Sequence, residues 1–300
     1  MNLRQRSYLV FILVALIWGI NWPIMKVAVG LMHPLWFATA RVGLGCLSAF
    51  LFLLAIRALK MPTRQDLPIL LSVGILQLAG AQLLIHAGLA YVPAGKSAVL
   101  SYTTPLWVLP GAYLFLGERL NVRGILGLCL GLLGLVLLID PQTLENNWKG
   151  NVLLLTAAFC WAGAILHSRA HHWHLEPQQL LPWQLLIGFL VMVPLSFLLA
   201  GPLQADWSSE FLYWALLYNG PFATAFAVWG VISAQKNLPA VTASITFLIV
   251  PAIGILAALV WLKEIPDERL LLGFGLILTG VFCSIKGTSD KKSIGIAVKD

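Results

Sequence analysis

The sequence predicts an all-α membrane protein with ten transmembrane helices in two inverted five-helix repeats. Three observations carry this: a composition too apolar for water, ten apolar stretches of about bilayer length, and residues that recur along the chain at a nearly constant offset.

Hydrophobic residues make up 59% of the 300 positions and charged residues 10%, where a soluble domain has about 25% charged. The mean hydropathy is +0.87. So few charges cannot cover a water-facing surface, and the lipid bilayer is the expected solvent. The net charge of +7 would raise nucleic acid as a partner for a soluble protein. Here the basic residues sit in short loops and the tail, without interleaved aromatics, and no nucleic-acid partner is expected. Cys46, Cys129, Cys160 and Cys283 each fall inside an apolar stretch without CxxC spacing. Neither a disulfide framework nor a metal site is expected, and no cofactor. Tyr8–Ile20 after Arg4 and Arg6 imitates a secretory signal, but it lacks a small-residue cleavage site and reads as a retained first span.

A span needs about 20 apolar residues. The expected spans lie near 7–28, 34–57, 67–90, 94–116, 122–139, 150–170, 177–200, 209–234, 239–262 and 269–286. Short turn or charge signals separate them, such as His33-Pro34, Lys60-Met61-Pro62, Gly117-Glu118-Arg119 and Asp140-Pro141. With the N-terminus inside, 13 of the 19 Lys and Arg residues fall in cytoplasmic segments. Only Lys149, Lys263 and Arg269 fall in external loops, and Lys26, Arg41 and Lys96 lie within or at the ends of spans. The positive-inside rule then puts both termini in the cytoplasm.

Pro93-Ala94, Pro105, Ala112, Leu116, Glu118, Arg123, Gly127 and Gly134 recur 146 residues later as Pro239-Ala240, Pro251, Ala258, Leu262, Glu264, Arg269, Gly273 and Gly280. Upstream, Trp18, Pro34, Gly45 and Leu47 match Trp161, Pro177, Gly188 and Leu190 at an offset of 143. Lys26 then pairs with Arg169, and Arg41 with Gln184. Two halves follow, 1–140 and 149–287, joined by an external linker at 141–148 and followed by a cytoplasmic tail at 288–300. With five spans each, the second half enters the membrane upside down. Many secondary transporters use that architecture for alternating access.

The chain resembles the EamA branch of the drug/metabolite transporter superfamily. The resemblance rests on Ile17-Trp18-Gly19-Ile20-Asn21-Trp22, on Pro34 followed by Arg41, and on Tyr91-Val92-Pro93-Ala94-Gly95 leading to Pro105 and Leu116-Gly117-Glu118-Arg119-Leu120. A second copy runs from Asn237-Leu238-Pro239-Ala240 through Pro251 to Leu262-Lys263-Glu264. The resemblance implies a ten-helix fold with a central cavity, both termini inside, and export of amino acids, related metabolites or drugs across the bacterial inner membrane. The second copy departs from the pattern, with Ala162 in place of the span-1 glycine and Gln184 in place of the arginine.

Polar groups buried in hydrocarbon are costly unless paired or facing a wet cavity, so they mark candidate transport residues. Trp18, Asn21, Gln77, Gln82, Tyr102, Trp161, Gln184 and Trp229 are the candidate substrate-binding residues. Six of them, Trp18, Asn21, Gln77, Tyr102, Trp161 and Gln184, are expected around one midplane cavity, with Trp18 and Trp161 approaching each other. Arg41 follows Pro34 by seven residues, roughly 10 Å into its span. It either takes a substrate carboxylate or serves structurally, on helix-end carbonyls or snorkelling to the interface. His86, four residues from Gln82 on one helix face, and His167 are candidates for carrying charge or protons. Pro105 and Pro251, each in mid-span, are expected to kink their helices. All twelve acidic residues map to loops, tails or span ends. A cation antiporter built on a central carboxylate is therefore disfavoured.

The expected activity is that of a secondary exporter of small metabolites, most of all amino acids, acting as a monomer or homodimer. A multidrug exporter of the same fold is the alternative. A membrane enzyme acting on lipid intermediates is remote, because no DDxxD-like or HExxH-like cluster exists.

Overall fold

A computed structural model describes residues 3–118, 121–139, 144–235 and 240–289, with no account of the side chains of 3, 4, 144–147, 234, 235, 240–248 and 285–289. Asn237-Leu238-Pro239, Arg119-Leu120, Asp140-Pro141 and the tail beyond 289 lie outside the described residues. Apolar runs without strand-like alternation become helices, and there is no β-strand among the described residues.

In chain order the α-helices are α1 (Leu3–Leu31), α2 (Pro34–Ala55), α3 (Leu67–Ser72), α4 (Gln82–Tyr91), α5 (Ala94–Ser101), α6 (Thr104–Leu116), α7 (Val122–Leu138), α8 (Leu144–Ala170), α9 (Pro177–Ala200), α10 (Glu210–Leu217), α11 (Ala227–Gln235), α12 (Ala240–Leu262) and α13 (Glu268–Ser289). Two π-helical stretches, Val73–Ala81 and Tyr218–Phe226, join α3 to α4 and α10 to α11. Among the described residues, seven segments are long and apolar enough to cross a membrane: Gln5–Leu31, Pro34–Ala55, Arg64–Tyr91, Ala94–Leu116, Trp148–Ala170, Pro177–Ala200 and Glu210–Ser233. Val122–Leu138 and Ile249–Leu262 are shorter apolar helices. The outer surface is equally apolar: Phe115 and Leu198 are each 77% exposed, as lipid-facing side chains would be.

The fourth span is not a kinked helix, as its sequence suggests, but two helices with a break at Tyr102–Thr103. Pro105 opens α6 instead of bending a continuous helix, because a proline in the first turn forfeits no hydrogen bond. Its repeat mate Pro251 lies inside the continuous α12. The two copies of this span therefore differ at the same proline.

They end alike. Gly117 and Lys263, 146 residues apart, both adopt left-handed backbone (φ 64° and 58°). The N–H of Glu118 then donates to the Ala112 carbonyl at 3.1 Å, and that of Glu264 to the Ala258 carbonyl at 3.2 Å. Each bond spans one residue more than the six-to-one bond of a Schellman cap, and like that motif it closes the helix behind a left-handed residue. Glycine adopts the conformation freely and lysine does not. Lys263→Gly is therefore expected to stabilise the protein by up to about 1 kcal/mol, read as a higher thermal midpoint in detergent. An unchanged or lower midpoint would refute this account of the cap.

Repeat-related residues exchange partners. A Cβ placed on Gly127 would lie 2.4 Å from the Gly280 carbonyl oxygen, and one on Gly134 would lie 2.5 Å from the Gly273 carbonyl oxygen. Gly273 is the mate of Gly127, and Gly280 of Gly134. α7 and α13 thus meet backbone to backbone, as small residues permit. The same crossing holds elsewhere. A Cβ added to Gly45 on α2 would lie 3.1 Å from the Gly220 carbonyl oxygen, and one added to Gly188 on α9 would lie 3.2 Å from that of Gly74. Gly45 and Gly188 are mates at 143, and Gly74 and Gly220 are mates at 146. Reciprocal contacts of this kind are the signature of a two-fold relation.

Candidate functional site

The polar residues of the interior converge on Arg41. Its backbone sits between two apolar cores: Phe37 belongs to one with Met25, Ile85 and Leu89, while Ala38 and Val42 belong to another with Leu78, Leu83 and Leu185. The residue is 5% exposed. Its Nε donates to Thr224 Oγ1 at 3.1 Å, and Nη1 lies 3.0 Å from Met25 Sδ and 3.5 Å from His86 Nε2. Among the described residues no carboxylate lies within ion-pair distance of it, and no backbone carbonyl accepts from it. Tyr102 and Tyr218 lie within electrostatic range of the guanidinium.

Each partner is positioned locally. The wide turn at Tyr218–Phe226 leaves the Asn219 carbonyl free to accept from Thr224 Oγ1 at 2.7 Å. That turns the hydroxyl's lone pair toward Arg41. His86 Nδ1 lies 2.7 Å from the Gln82 carbonyl oxygen, four residues back on α4. A carbonyl only accepts, so Nδ1 carries the proton and Nε2 presents a lone pair to Arg41. His86 is fully buried and its ring leans on Phe37, with centroids 5.6 Å apart. In this arrangement it is neutral, since a second ring proton would face the guanidinium. Tyr102 sits at the break between α5 and α6, and Tyr218 Oη donates to the Ile17 carbonyl at 2.8 Å.

The other candidates distribute as follows. Tyr102 and Trp161 pack on the core that holds Met25 and Phe37. Trp18 packs instead in a separate group with Phe11, Val14, Ala227 and Val231, and its Nε1 donates to the Ala223 carbonyl at 2.8 Å. The two indoles are therefore not brought together, because the rotation of α1 turns Trp18 toward α11. Trp229 packs edge-on against Phe52 at 5.1 Å, away from Arg41. Asn21 is 3% exposed with its Oδ1 unpartnered among the described residues. Gln184, the mate of Arg41, is buried at the contact of α9 with Gly74. Gln82 is buried, and Gln77 is half-buried within the first π-helical stretch. His167 Nδ1 lies 2.5 Å from Ser72 Oγ, and its ring is 5.9 Å from that of His171. Beyond the span, burial and then the charge of His167 hold the His171 imidazole below its usual value.

Sequence reasoning missed Met25 and Tyr218, which reach the site from α1 and from the second π-helical stretch. A usable signal was Pro221 beside Gly220, which marks a disturbed helix in span 8.

Two further constellations lie at the ends of the spans. Lys26 Nζ donates to the carbonyls of Leu89 and Val92 at 2.6 and 2.9 Å, closing the end of α4. Glu264 accepts from the N–H groups of Ala94 and Gly95 at 3.0 and 3.2 Å, opening α5. The repeat mates of Lys26 and Glu264 are Arg169 and Glu118, and these form an exposed ion pair. In each constellation the cation comes from one half and the glutamate from the other.

The uncharacterized transporter YoaV of Bacillus subtilis is 29% identical over 93% of this chain and 96% of its own. A probable amino-acid metabolite efflux pump of Escherichia coli is 27% identical over 98% of this chain and 99% of its own. A probable terminal-alkyne amino-acid exporter of Streptantibioticus cattleyicolor is 25% identical over 94% of both chains. One crystal structure, 20% identical, shares the fold with a TM-score of 0.65 over 96% of this chain and 99% of that one. The EamA-like transporter family matches residues 5–140 and again 148–286, so the chain, with its apolar helices and paired halves, is a multi-pass membrane protein that belongs to the EamA-like transporter family.

Proposed function

We propose that this protein exports small metabolites, amino acids or related compounds foremost, across the bacterial inner membrane by alternating access. In this reading ten spans form two inverted five-helix halves, 1–140 and 149–287, and both termini are cytoplasmic. The exchange of partners between repeat-related residues carries the proposal. If Gly127 meets the mate of Gly134 while Gly134 meets the mate of Gly127, the halves are related by a two-fold axis, and rocking one half against the other interconverts two equivalent openings. The Lys26–Glu264 and Arg169–Glu118 constellations then sit on opposite sides of that axis, toward opposite faces of the membrane, and act as its two latches. The names of two relatives and the lack of a mid-membrane carboxylate support an amino-acid-like substrate.

The test is counterflow of radiolabelled amino acids into proteoliposomes holding the purified protein. Saturable exchange of one or a few of them is expected; uptake no faster than in protein-free vesicles for every amino acid would sink the assignment. Topology is tested separately. Cysteines at positions 149 and 292 are expected to label from opposite sides of the membrane, and labelling of both from one side would overturn the orientation.

A further inference from the structure

We propose that Arg41 is the substrate receptor of this transporter, binding the carboxylate of a small zwitterionic or monoanionic metabolite at a site whose other polar groups are neutral. The inference rests on the exporter reading above and names the chemistry of its site.

An arginine is charged at any physiological pH, and burying a charge is costly unless it is paired. Two ordinary structural roles would relieve that cost in a membrane protein: donation to helix-end carbonyls, or snorkelling to the interface. Arg41 does neither. No backbone carbonyl among the described residues accepts from it, and it is 5% exposed. Lys26, by contrast, takes the first role fully, on the carbonyls of Leu89 and Val92. Around Arg41 stand a hydroxyl, a thioether and an imidazole lone pair. The thioether is a weak acceptor. The second terminal nitrogen, Nη2, makes no hydrogen bond among the described residues. These contacts aim the guanidinium without neutralising it. A carboxylate would complete the site, since its two oxygens match the planar fork of an arginine.

The surroundings narrow the class. Thr224 and His86 are each held by a backbone carbonyl so that a lone pair faces Arg41, and neither can supply the missing negative charge. The phenols of Tyr102 and Tyr218 are near enough to feel the guanidinium; the Tyr218 O–H is held by the Ile17 carbonyl, and Tyr102 offers an O–H donor to a carboxylate oxygen. The repeat mate of Arg41 is the neutral Gln184, so the site presents one cation and takes one carboxylate. The residues come from both halves: Arg41, Met25, His86 and Tyr102 from the first, Thr224 and Tyr218 from the second. Rocking the halves apart would open the site and part Arg41 from Thr224.

The experiment uses the full chain in lipid nanodiscs and proteoliposomes. Thermal midpoint and counterflow are measured with L-leucine, L-methionine and L-phenylalanine, each beside the primary amine that lacks its carboxylate. At least one amino acid is expected to raise the midpoint, with its amine about tenfold to a hundredfold weaker, the range of a hydrogen-bonded charge pair. Arg41→Gln is expected to abolish that preference, and Arg41→Lys to keep part of it. If Arg41→Gln does not fold, as judged by gel filtration, Thr224→Val should weaken the same preference in a folded protein. Equal response to acid and amine in the natural protein, a preference surviving in folded Arg41→Gln, or a preference undiminished in folded Thr224→Val, would overturn the site and leave the exporter reading intact. No midpoint shift with any of the three acids would also overturn it. An acid-selective shift without counterflow would support the site and count against the exporter reading.

Discussion

Alanine at Gly280 or Gly127 is expected to lower the thermal midpoint of the purified protein and cut its folded yield, while alanine at Gly275 is not. All three lie in the paired helices α7 and α13, but they face different surroundings. A Cβ on Gly280 would lie 2.4 Å from the Gly127 carbonyl oxygen and 2.7 Å from the Gly131 nitrogen. Both are backbone atoms in a helix and cannot rotate away, so the helices themselves must separate. Overpacking of this kind costs about 1–3 kcal/mol, and the loss spreads along the whole contact because the seam is rigid. Gly275 has nothing within 4 Å of an added Cβ. Alanine there gains helix propensity instead, up to about 1 kcal/mol. The readout is fluorescence-detected gel filtration with a thermal ramp. If Gly280→Ala and Gly275→Ala behaved alike, α7 and α13 would not be packed as described.

The two latch constellations are expected to respond unequally although they are repeat mates. Glu264→Ala removes a carboxylate that accepts from two backbone N–H groups at the start of α5. Bonds to a charged acceptor are worth about 1.5–3 kcal/mol each, and the helix start favours negative charge. It should therefore destabilise the protein by more than about 1 kcal/mol and slow counterflow severalfold. Glu118→Ala breaks an ion pair whose side chains are 38% and 43% exposed, worth about 0–1 kcal/mol. Its stability should barely change, and any effect on counterflow should be smaller than that of Glu264→Ala. Equal losses at both sites would show that the exposed pair carries more than its geometry supports.

Much of the helical frame was readable from apolar length and from the 143 and 146 offsets, because bilayer thickness and duplicated turn residues leave linear marks. Arg41 was readable as a residue deep in its span, but its role was not. Whether an arginine meets carbonyls, the interface or a substrate depends on what the neighbouring helices bring to it. Trp18 illustrates the same limit: its partner on the second π-helical stretch is set by helix rotation, which hydropathy does not record. Pro105 was readable as a disturbance of its span but not as the opening of a second helix, because a proline at a helix start and one inside a helix read identically in a chain. Met25 and Tyr218 were invisible for a related reason, being an ordinary apolar residue and an ordinary aromatic until the packing placed them beside a cation.

The two π-helical stretches, Val73–Ala81 and Tyr218–Phe226, fall within one residue of each other at the 146 offset. A π turn accommodates an extra residue, and at 3.6 residues per turn each residue advances the helix by about 100°. Deleting one residue from the first stretch would therefore turn all of α4 like a screw, carrying His86 off the face that meets Arg41 and moving Leu89 from Lys26. Deleting one from the second would swing Trp229 from Phe52. The thread of each span is thus as much a part of the transporter as its side chains, and both halves carry the same change of thread at the same place.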